Sequence, residues 1–362
     1  MVQRAWFLVL LLLVPAWAGA QRPQTPRPPF PYDTRDVTVE SAADVSLACT
    51  LVVPRGGAPA PAVLFLSGSG AQDRNETIMG HQPFLVLADH LGRRAIASLR
   101  CDDRGVGGST GNTYHATTDD AVADARAALR ILAEQPGIDP LRVGLLGHSE
   151  GGLVAPRVAT VSGRVAFLVL LAAPALPMDQ ILVRQTREAL AALGAAPSLI
   201  ERVLASQAGD LVLVRDASLS AGALTGHLAD RAEAFEETLT PQERETLGLS
   251  PERTAEAAQL VSTPWFRSLM QQDPAHALRR IDVPVLALFG GRDRQVAADV
   301  NAPAMEAALE PAPTREVTVR VLPELNHLFQ HAESGLPAEY GAITETVAPA
   351  VLETVADWIA DR

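Results

Sequence analysis

The segment 147–151, which reads Gly-His-Ser-Glu-Gly, constrains the fold of this chain more than any other feature. An apolar run, 141–146, precedes it and small residues, 152–155, follow it, which predicts a strand, a sharp turn and then a helix. A Cβ two positions to either side of the serine would collide with the neighbouring strand or helix. The pattern is typical of a nucleophilic serine, Ser149, whose hydroxyl stands above a sheet beside converging backbone N–H groups.

The composition is that of a globular chain with a full core. Of the 362 residues, 48% are hydrophobic and 20% charged, which suits one large α/β domain with an insertion or two modest domains. The net charge of −12 and the lack of basic patches argue against nucleic acid and anionic membranes as partners. The eight histidines are scattered, the cysteines lack ligand spacing, and the glycine cluster 105–108 lacks the pattern of a phosphate or dinucleotide loop. We therefore expect neither a metal nor another cofactor.

The first twenty residues have the pattern of a secretory signal peptide. Arg4 supplies the positive end, 5–14 the apolar stretch, and Ala18 and Ala20 a small-residue cleavage site. The apolar stretch is too short to span a bilayer comfortably, so we expect no stable membrane insertion after cleavage, with an uncleaved anchor as the alternative. The proline-rich segment 21–34 is interpreted as an extended leader. The sequence thus predicts an exported protein, periplasmic or secreted.

Export allows the two cysteines to form a disulfide. Cys49 lies in a predicted strand, 45–53, and Cys101 directly follows another, 95–100. As second and fourth strands these would be neighbours in the sheet, which makes a disulfide geometrically possible. Two unpaired small hydrophobic residues are the alternative.

Short β-rich runs alternate with helical patterns, which is typical of a mostly parallel sheet covered by helices on both faces. The predicted strands are 36–40, 45–53, 62–66, 95–100, 141–146, 165–172, 283–289 and 317–322, and the predicted core helices include 84–93, 118–135 and 343–359. Between them, 177–275 has helical spacing with breaks at Gly209, Pro241 and Pro251. We therefore expect core parts 35–176 and 276–362, interrupted by a helical cap, 177–275, over the active-site face.

A nucleophilic serine needs a base, and the base needs an acid that orients it. The strand, sharp turn and helix around Ser149 form what is called a nucleophile elbow. After an elbow of this type the acid and the histidine follow along the chain in that order, each on a loop at the end of a strand. Asp293 follows the predicted strand 283–289, and His327 follows 317–322. His327 would take the proton from Ser149, and Asp293 would hold the imidazole.

Three other side chains are weaker candidates for these roles. Asp299 is expected on the next helix, and Glu324 is too close in sequence to the histidine loop. His148 lies inside the elbow and cannot easily swing to serve its neighbour. We interpret His148 as a packing and hydrogen-bonding residue.

The negative oxygen that forms during acyl transfer needs backbone donors. We expect one from the N–H of Glu150, directly after the nucleophile, and one from the N–H of Ser69 in the loop 67–70. Glycines in that loop let its backbone approach a substrate closely. An ordinary Gly/Ser turn is the alternative for this loop.

Seven segments, spread over nearly the whole mature chain, carry further motifs. They are Ser-Gly-Ser-Gly-Ala-Gln-Asp-Arg (67–74), Asp-Asp-Arg-Gly-Val-Gly (102–107), Gly-His-Ser-Glu-Gly-Gly (147–152), Pro-Trp-Phe-Arg (264–267), Asp-Pro (273–274), Gln-Val (295–296) and Leu-Asn-His-Leu-Phe-Gln (325–330). With them the chain resembles a family of bacterial α/β-hydrolase esterases, often exported, that carry a cap domain. The resemblance implies an α/β-hydrolase fold and hydrolysis of carboxylic esters by Ser149, Asp293 and His327.

The chain departs from this family at two places. Ser67 stands where the family commonly has histidine. This difference alters the hydrogen bonds that support the loop 67–70, called here the oxyanion loop. Cys49 and Cys101 stand where glycine and an aromatic residue are expected. Because both changes fall on strands expected to be adjacent, the resemblance favours the disulfide.

The substrate is less constrained than the triad. Small to medium acyl esters are the expected substrates, and Trp265 and Phe266 are candidates for lining an acyl pocket, with core packing as the alternative. The same triad serves peptidases and acyltransferases. Glu233, Glu236 and Glu237 would then be candidates to anchor a peptide amino terminus, a solvated helix face being the alternative. A non-catalytic binding protein is the third possibility, and the sequence leaves the oligomeric state open.

Overall fold

The computed structural model describes residues 22–314 and 316–362. The predicted signal peptide, 1–20, lies outside these ranges. Within them, no helix combines the length and the apolar character needed to cross a bilayer.

The described chain divides into two compact units. The first, called the sheet unit, contains 22–113, Asp119–Leu176 and Asp273–Arg362. The second, called the helical unit, contains Tyr114–Thr118 and Pro177–Gln272. The helical unit covers nearly the same residues as the predicted insertion, and its role as a cap stays a prediction.

One sheet runs through the sheet unit. Among the described residues its strands are β1 (Tyr32–Ala42), β2 (Val45–Pro54), β3 (Ala60–Leu66), β4 (Ala97–Cys101), β5 (Ile138–His148), β6 (Leu168–Leu171), β7 (Val285–Gly290) and β8 (Val317–Leu322). Their spatial order is β1-β2-β4-β3-β5-β6-β7-β8. Strands β1 and β2 pair antiparallel, as do β2 and β4, while all other neighbours pair parallel. The mostly parallel eight-stranded sheet predicted from the sequence is confirmed.

The helices of the sheet unit follow or precede these strands along the chain. They are α1 (Pro83–Arg93), α2 (Thr118–Ala133, which starts at the boundary of the units), α3 (Glu150–Val161), α10 (Pro274–Leu278), α11 (Ala298–Leu309) and α12 (Pro349–Ala360). Helices α1 and α12 pack against each other, and α10 packs against both α3 and α11. The central strand β6 is buried along its whole length, which explains its uninterrupted apolar sequence.

The buried side chains of α1, α12 and the central strands form one hydrophobic cluster. Along α12, Val351, Val355 and Ile359 recur at a spacing of four residues and are fully buried. They share the cluster with Leu91 of α1 and Phe167, which precedes β6. This cluster supports the strands whose carboxyl ends carry the candidate site.

Three local predictions need correction. The last helix begins at Pro349 and not at residue 343, because proline favours the first helical position and disfavours helix in the residue before it. Residues 343–348 are not helical, and a 3₁₀ turn, Pro337–Ala342, precedes them. Cys101 lies inside β4, not after it. Gly209 does not end a helix but lies within the helix Pro197–Arg215, where the guanidinium of Arg231 packs so closely that a Cβ would collide with it.

Most helices of the helical unit begin at a Ser or Thr whose side chain accepts a hydrogen bond from a backbone N–H of the first turn. The helices of this unit are α4 (Met178–Ala192), α5 (Pro197–Arg215), α6 (Ala221–Glu237), α7 (Pro241–Leu247), α8 (Pro251–Val261) and α9 (Pro264–Leu269). The predicted breaks at Pro241 and Pro251 fall at the first residues of α7 and α8. Thr240 and Glu243 form a capping box at the start of α7.

The predicted leader is bonded to the sheet unit. The guanidinium of Arg22 donates to the carbonyl of Met79 at 3.0 Å and to two carbonyls in 341–343 at 2.7 and 2.9 Å. The Gln24 side chain exchanges three hydrogen bonds with the backbone of 346–347. Strand β1 begins inside the leader range, so the end of the leader is part of the sheet.

A disulfide joins Cys49 of β2 to Cys101 of β4. The two residues lie directly opposite each other in the antiparallel pair, with 3.9 Å between their Cα atoms. Asp102, the next residue along the chain, begins a loop whose side chains bond to residues 67 and 74 beside the candidate site.

Candidate active site

Ser149 stands on the turn between β5 and α3. Its backbone angles are φ 52° and ψ −118°, a conformation that non-glycine residues rarely adopt. Strain of this kind costs about 1–3 kcal/mol and persists where the surrounding structure holds it. The side chain is half-buried, at the carboxyl end of a central strand. The backbone thus has the geometry expected of a nucleophile elbow.

Two glycines of the motif permit this turn. A Cβ on Gly147 would lie 2.2 Å from the carbonyl oxygen of Gly151, and a Cβ on Gly151 would lie 2.0 Å from the carbonyl oxygen of Leu66. Both distances are far inside van der Waals contact. The first collision is across the turn itself, and the second is with the neighbouring strand β3.

Asp293 and His327 come together from the loops that follow β7 and β8. The Oδ2 atom of Asp293 lies 2.7 Å from Nδ1 of His327, and both side chains are buried. The other carboxylate oxygen accepts hydrogen bonds from the backbone N–H groups of Gln295 and Val296, at 2.7 and 2.9 Å. The carboxylate is therefore fixed from both sides.

This contact determines which nitrogen of His327 is available to act as a base. Because the carboxylate accepts from Nδ1–H, the lone pair of the neutral ring is on Nε2. The competing acids Asp299 and Glu324 are both exposed, Asp299 in the first turn of α11. The structure thus pairs His327 with the acid that strand-end placement favours.

The histidine loop is held by a buried amide pair. The Asn326 side chain accepts from the backbone N–H groups of Leu328 and Gln330, at 3.0 and 2.9 Å, and donates to the Gln330 side chain at 2.9 Å. Gln330 in turn donates to the carbonyl of Glu345 at 2.8 Å. Neither amide was assigned a role from the sequence. Their only signal was the segment 325–330, which belongs to the motifs that carry the resemblance.

The oxyanion loop is held by two carboxylates. Asp103 accepts from the Ser67 hydroxyl at 3.0 Å and from the backbone N–H of Gln72 at 2.9 Å. Glu76 accepts from the backbone N–H of Gly68 at 2.7 Å. The N–H of Ser69, the predicted donor, has no hydrogen-bond partner among the described residues.

The second predicted donor is the N–H of Glu150. It is the first residue of α3, so its backbone lies at the positive end of a twelve-residue helix. A helix N-terminus favours negative charge placed next to it. The position of Glu150 directly after the nucleophile is the one that the elbow motif requires.

Asp103 has an unusual protonation equilibrium. The pKa of its carboxyl is raised to about 7, mainly by burial. The hydrogen bonds from Gln72 and Ser67 lower this pKa, whereas the charges of Glu150 and Glu76 raise it. An acid that titrates near neutral pH therefore supports the oxyanion loop. In the sequence, residue 103 is marked only by its presence in the motif segment 102–107.

The neighbouring Asp102 ties the same loop to β4. It accepts from the backbone and guanidinium of Arg74, at 2.7 to 2.9 Å, and from the N–H of Gly108 at 3.1 Å. Burial raises the pKa of Asp102, but the bonds from Arg74 and Gly108 hold it below its usual value. The glycine cluster 105–108 is thus a turn around this carboxylate.

The aromatic pair predicted for a pocket belongs to the helical unit. Trp265 and Phe266 are buried there, with ring centroids 6.1 Å apart, and Trp265 meets Tyr114 edge-to-face at 5.8 Å. They are core residues of that unit, and their role in a pocket stays a prediction. Glu233 and Glu237 are exposed, as expected of a solvated helix face.

The described ranges contain no group of three or more His, Cys, Asp or Glu side chains arranged to hold a metal ion. The arrangement at the carboxyl ends of β3, β5, β7 and β8 suits nucleophilic acyl transfer. It combines a strained serine, a histidine oriented by a carboxylate, and a loop with an unpaired N–H.

Comparisons with known proteins identify the family of this chain. The model of the family described as serine aminopeptidase, S33 (Hydrolase_4) matches residues 81–333. Esterase EstD of Thermotoga maritima is 28% identical over 333 residues, covering 91% of this chain and 68% of EstD. Esterase FrsA of Vibrio cholerae is 32% identical over 156 residues, which cover 43% of this chain and 33% of FrsA. Together the family match and the similarity to EstD support an esterase.

A solved structure supports the fold. The esterase Pf2001 of Pyrococcus furiosus superposes with a TM-score of 0.54 and 16% identity, covering 96% of each chain. At this identity the likeness concerns the fold alone. Because the family model matches more than half of its residues, this chain belongs to the serine aminopeptidase (S33) family of α/β hydrolases.

Proposed function

We propose that this enzyme is a carboxylesterase that cleaves small to medium acyl esters through an acyl-enzyme on Ser149. The observation that carries the proposal is the contact of 2.7 Å between Asp293 and His327. It joins two loops, and the His327 carbonyl of one of them contacts the residue before the strained Ser149. A buried, carboxylate-oriented histidine beside an elbow serine is the arrangement that acyl transfer needs.

The proposed reaction has two halves. The Ser149 hydroxyl attacks the ester carbonyl while Nε2 of His327 takes its proton, and the negative oxygen of the tetrahedral intermediate accepts from the N–H groups of Ser69 and Glu150. The intermediate expels the alcohol, which leaves with the proton from His327. Water then attacks the acyl-enzyme with His327 again as base, and the carboxylic acid leaves. Asp293 stabilises the imidazolium in both halves.

Several features support the finer parts of this proposal. EstD, which resembles this chain over 91% of its length, is named as an esterase. The proposed location is the periplasm or the medium, and the Cys49–Cys101 disulfide suits an oxidising compartment. The acyl pocket is proposed to involve Trp265 and Phe266.

Aminopeptidase activity is the second candidate, because the matching family is described as a serine aminopeptidase. Such an enzyme needs negative charge where it binds the substrate's amino terminus. Glu150, directly after the nucleophile, is 8% exposed and is a carboxylate close to the proposed reaction centre. The triad would act in the same way on an amide.

The test is active-site labelling followed by substrate comparison. The wild-type protein and Ser149→Ala are treated with a fluorophosphonate, then assayed with p-nitrophenyl esters of increasing chain length and with aminoacyl-anilides. We expect labelling at Ser149 only and faster turnover of the esters. Preference for the anilides would establish the aminopeptidase, and a wild-type protein inert to every reagent would overturn both candidates in favour of a binding protein.

A further inference from the structure

A glutamate and a histidine outside the triad connect three loops of the proposed site. Oε1 of Glu76 lies 2.9 Å from Nδ1 of His148 and accepts from the N–H of Gly68 at 2.7 Å. Nε2 of His148 lies 3.0 Å from the carbonyl oxygen of His327. One buried pair therefore contacts the oxyanion loop, the nucleophile elbow and the histidine loop.

The pair is shielded from water. Glu76 is 4% exposed and His148 6%. Glu76 has a positive φ of 53°, and its backbone N–H donates to Asp73 at 2.9 Å. A small apolar cavity beside the pair is lined by Phe84, Leu87, Leu171 and Phe329, among other residues. A partner lost from this pair would leave a buried polar group unsatisfied, which is more costly than the loss of an exposed contact.

The number of protons on the pair follows from its geometry. Both ring nitrogens of His148 face acceptors, a carboxylate and a carbonyl, whereas a neutral imidazole carries one N–H. Both contacts are satisfied when Glu76 and His148 hold two protons between them. In agreement, the Glu76 carboxylate and the His327 carbonyl raise the pKa of His148, although burial alone lowers it.

We propose that Glu76 and His148 form a positioning pair for the reaction at Ser149, distinct from the triad and resting on the proposed function. The bond to Gly68 holds the loop that presents the Ser69 N–H. The bond to the carbonyl of His327 holds the histidine backbone against the elbow. Displacement of reacting groups by about 1 Å costs about 10²-fold in rate, and loss of one oxyanion donor costs about 10²–10³.

Two substitutions separate position from charge. Glu76→Ala removes the acceptor of both Gly68 and His148. Glu76→Gln keeps the shape, because its carbonyl oxygen in the Oε1 position accepts from Gly68 and from Nδ1–H of a neutral His148. The Gln variant therefore keeps the contacts to Gly68 and His148 without the charge, and gives up only the hydrogen bond from Nε2 to the His327 carbonyl.

The matched control is Glu353→Ala. Glu353 also faces a histidine, His90, at 3.7 Å, but is exposed on α12 and takes no part in the proposed site. The four proteins are compared by kcat and KM on a p-nitrophenyl ester, by the rate of fluorophosphonate labelling and by thermal melting.

For Glu76→Ala we expect kcat and labelling to fall about 10²-fold with KM within about threefold of wild type. Glu76→Gln should restore kcat to within about tenfold, and Glu353→Ala should match wild type. An active wild type with an equally active Glu76→Ala would overturn the positioning pair alone. So would a Gln variant as impaired as the Ala variant, because an oxygen that holds Gly68 and Nδ1 would then give no support to the reaction.

A wild-type protein without ester turnover or labelling would instead overturn the proposed function and the pair together. Should Glu76→Ala fail to fold, NMR of the ring nitrogens of wild-type His148 provides the second measurement. We expect both nitrogens to be hydrogen-bonded, with two protons shared between the ring and Glu76. A ring with one solvent-like nitrogen would overturn the pair.

Discussion

The hydroxyl of Ser67 donates to Oδ1 of Asp103 at 3.0 Å, so an acid beyond the end of β4 holds the first residue of the oxyanion loop. This is the position where the resembling esterases commonly carry histidine. A hydroxyl bonded to a carboxylate takes over the support of the loop here. The support of the loop depends on the protonation of Asp103. An ionised carboxylate offers both of its oxygens as acceptors, one to Ser67 and one to Gln72, whereas the protonated acid carries a proton on one of them.

The first prediction is a pH dependence of activity that comes from Asp103. With a pKa of about 7, its carboxyl ionises as the pH rises through neutrality and then orders the oxyanion loop. This ionisation contributes to the acid limb of kcat/KM. The wild-type limb should be steeper than that of Asp103→Asn, in which one titration is removed. Equal slopes in the two proteins would contradict the assignment.

Asp103 also predicts a pH dependence of stability with the opposite sense. The unfolded carboxyl ionises near its usual value of about 4, whereas the folded one keeps its proton up to about pH 7. The native state therefore binds more protons in this window, and its free energy of unfolding falls as the pH rises. Compared with Asp103→Asn, the wild type should lose stability between about pH 4 and pH 7 and remain level outside that range. Melting curves across this range test the sign.

The triad assignment predicts a large effect at Asp293. Asp293→Asn should lower kcat about 10⁴-fold, because the amide no longer holds the Nδ1–H tautomer, and Ser149→Ala should lower it about 10⁶-fold. Asp299→Asn is the control, since Asp299 is an exposed acid only six positions along the chain. If Asp299→Asn lost activity while Asp293→Asn kept it, the acid would be wrongly assigned.

The part of the site that could be predicted is the part that follows from strand ends. Asp293 and His327 each follow an apolar run, and the carboxyl ends of parallel strands meet at one edge of a sheet. Glu76 and Asp103 lie in loops without periodicity. Their contacts depend on how those loops fold back, as in the bond between Glu76 and His148, 72 positions apart. A pattern of polar and apolar residues does not show which residues of two distant loops will come into contact.

The fold shows the same division. Strand β8 was predicted with its observed bounds, because alternating and apolar runs identify strands directly. The start of α12 was misplaced because apolar residues before Pro349 extend the helical pattern although the chain there is not helical. The predicted break at Gly209 is wrong because the sequence does not show that Arg231 packs over this glycine.

The disulfide predicts a measurable loss of stability when it is removed. Cys49 and Cys101 are 52 positions apart, and closing a loop of this length contributes typically 2–4 kcal/mol to the free energy of unfolding. Cys49→Ser with Cys101→Ser should therefore melt several degrees below wild type. Thiol labelling of denatured, unreduced protein should find no free cysteine, and two labelled thiols would refute the pairing.

The leader gives the last prediction. Arg22 donates three hydrogen bonds to carbonyls of the sheet unit, among them that of Met79, and hydrogen bonds from charged groups contribute about 1.5–3 kcal/mol. Arg22→Ala should lower the free energy of unfolding by roughly this amount. Arg27→Ala is the control, because Arg27 is an exposed arginine of the same segment. Equal denaturation midpoints for the two variants would mean that the leader only lies on the surface, whereas a selective loss at Arg22 would make it a structural part of the unit that carries Ser149.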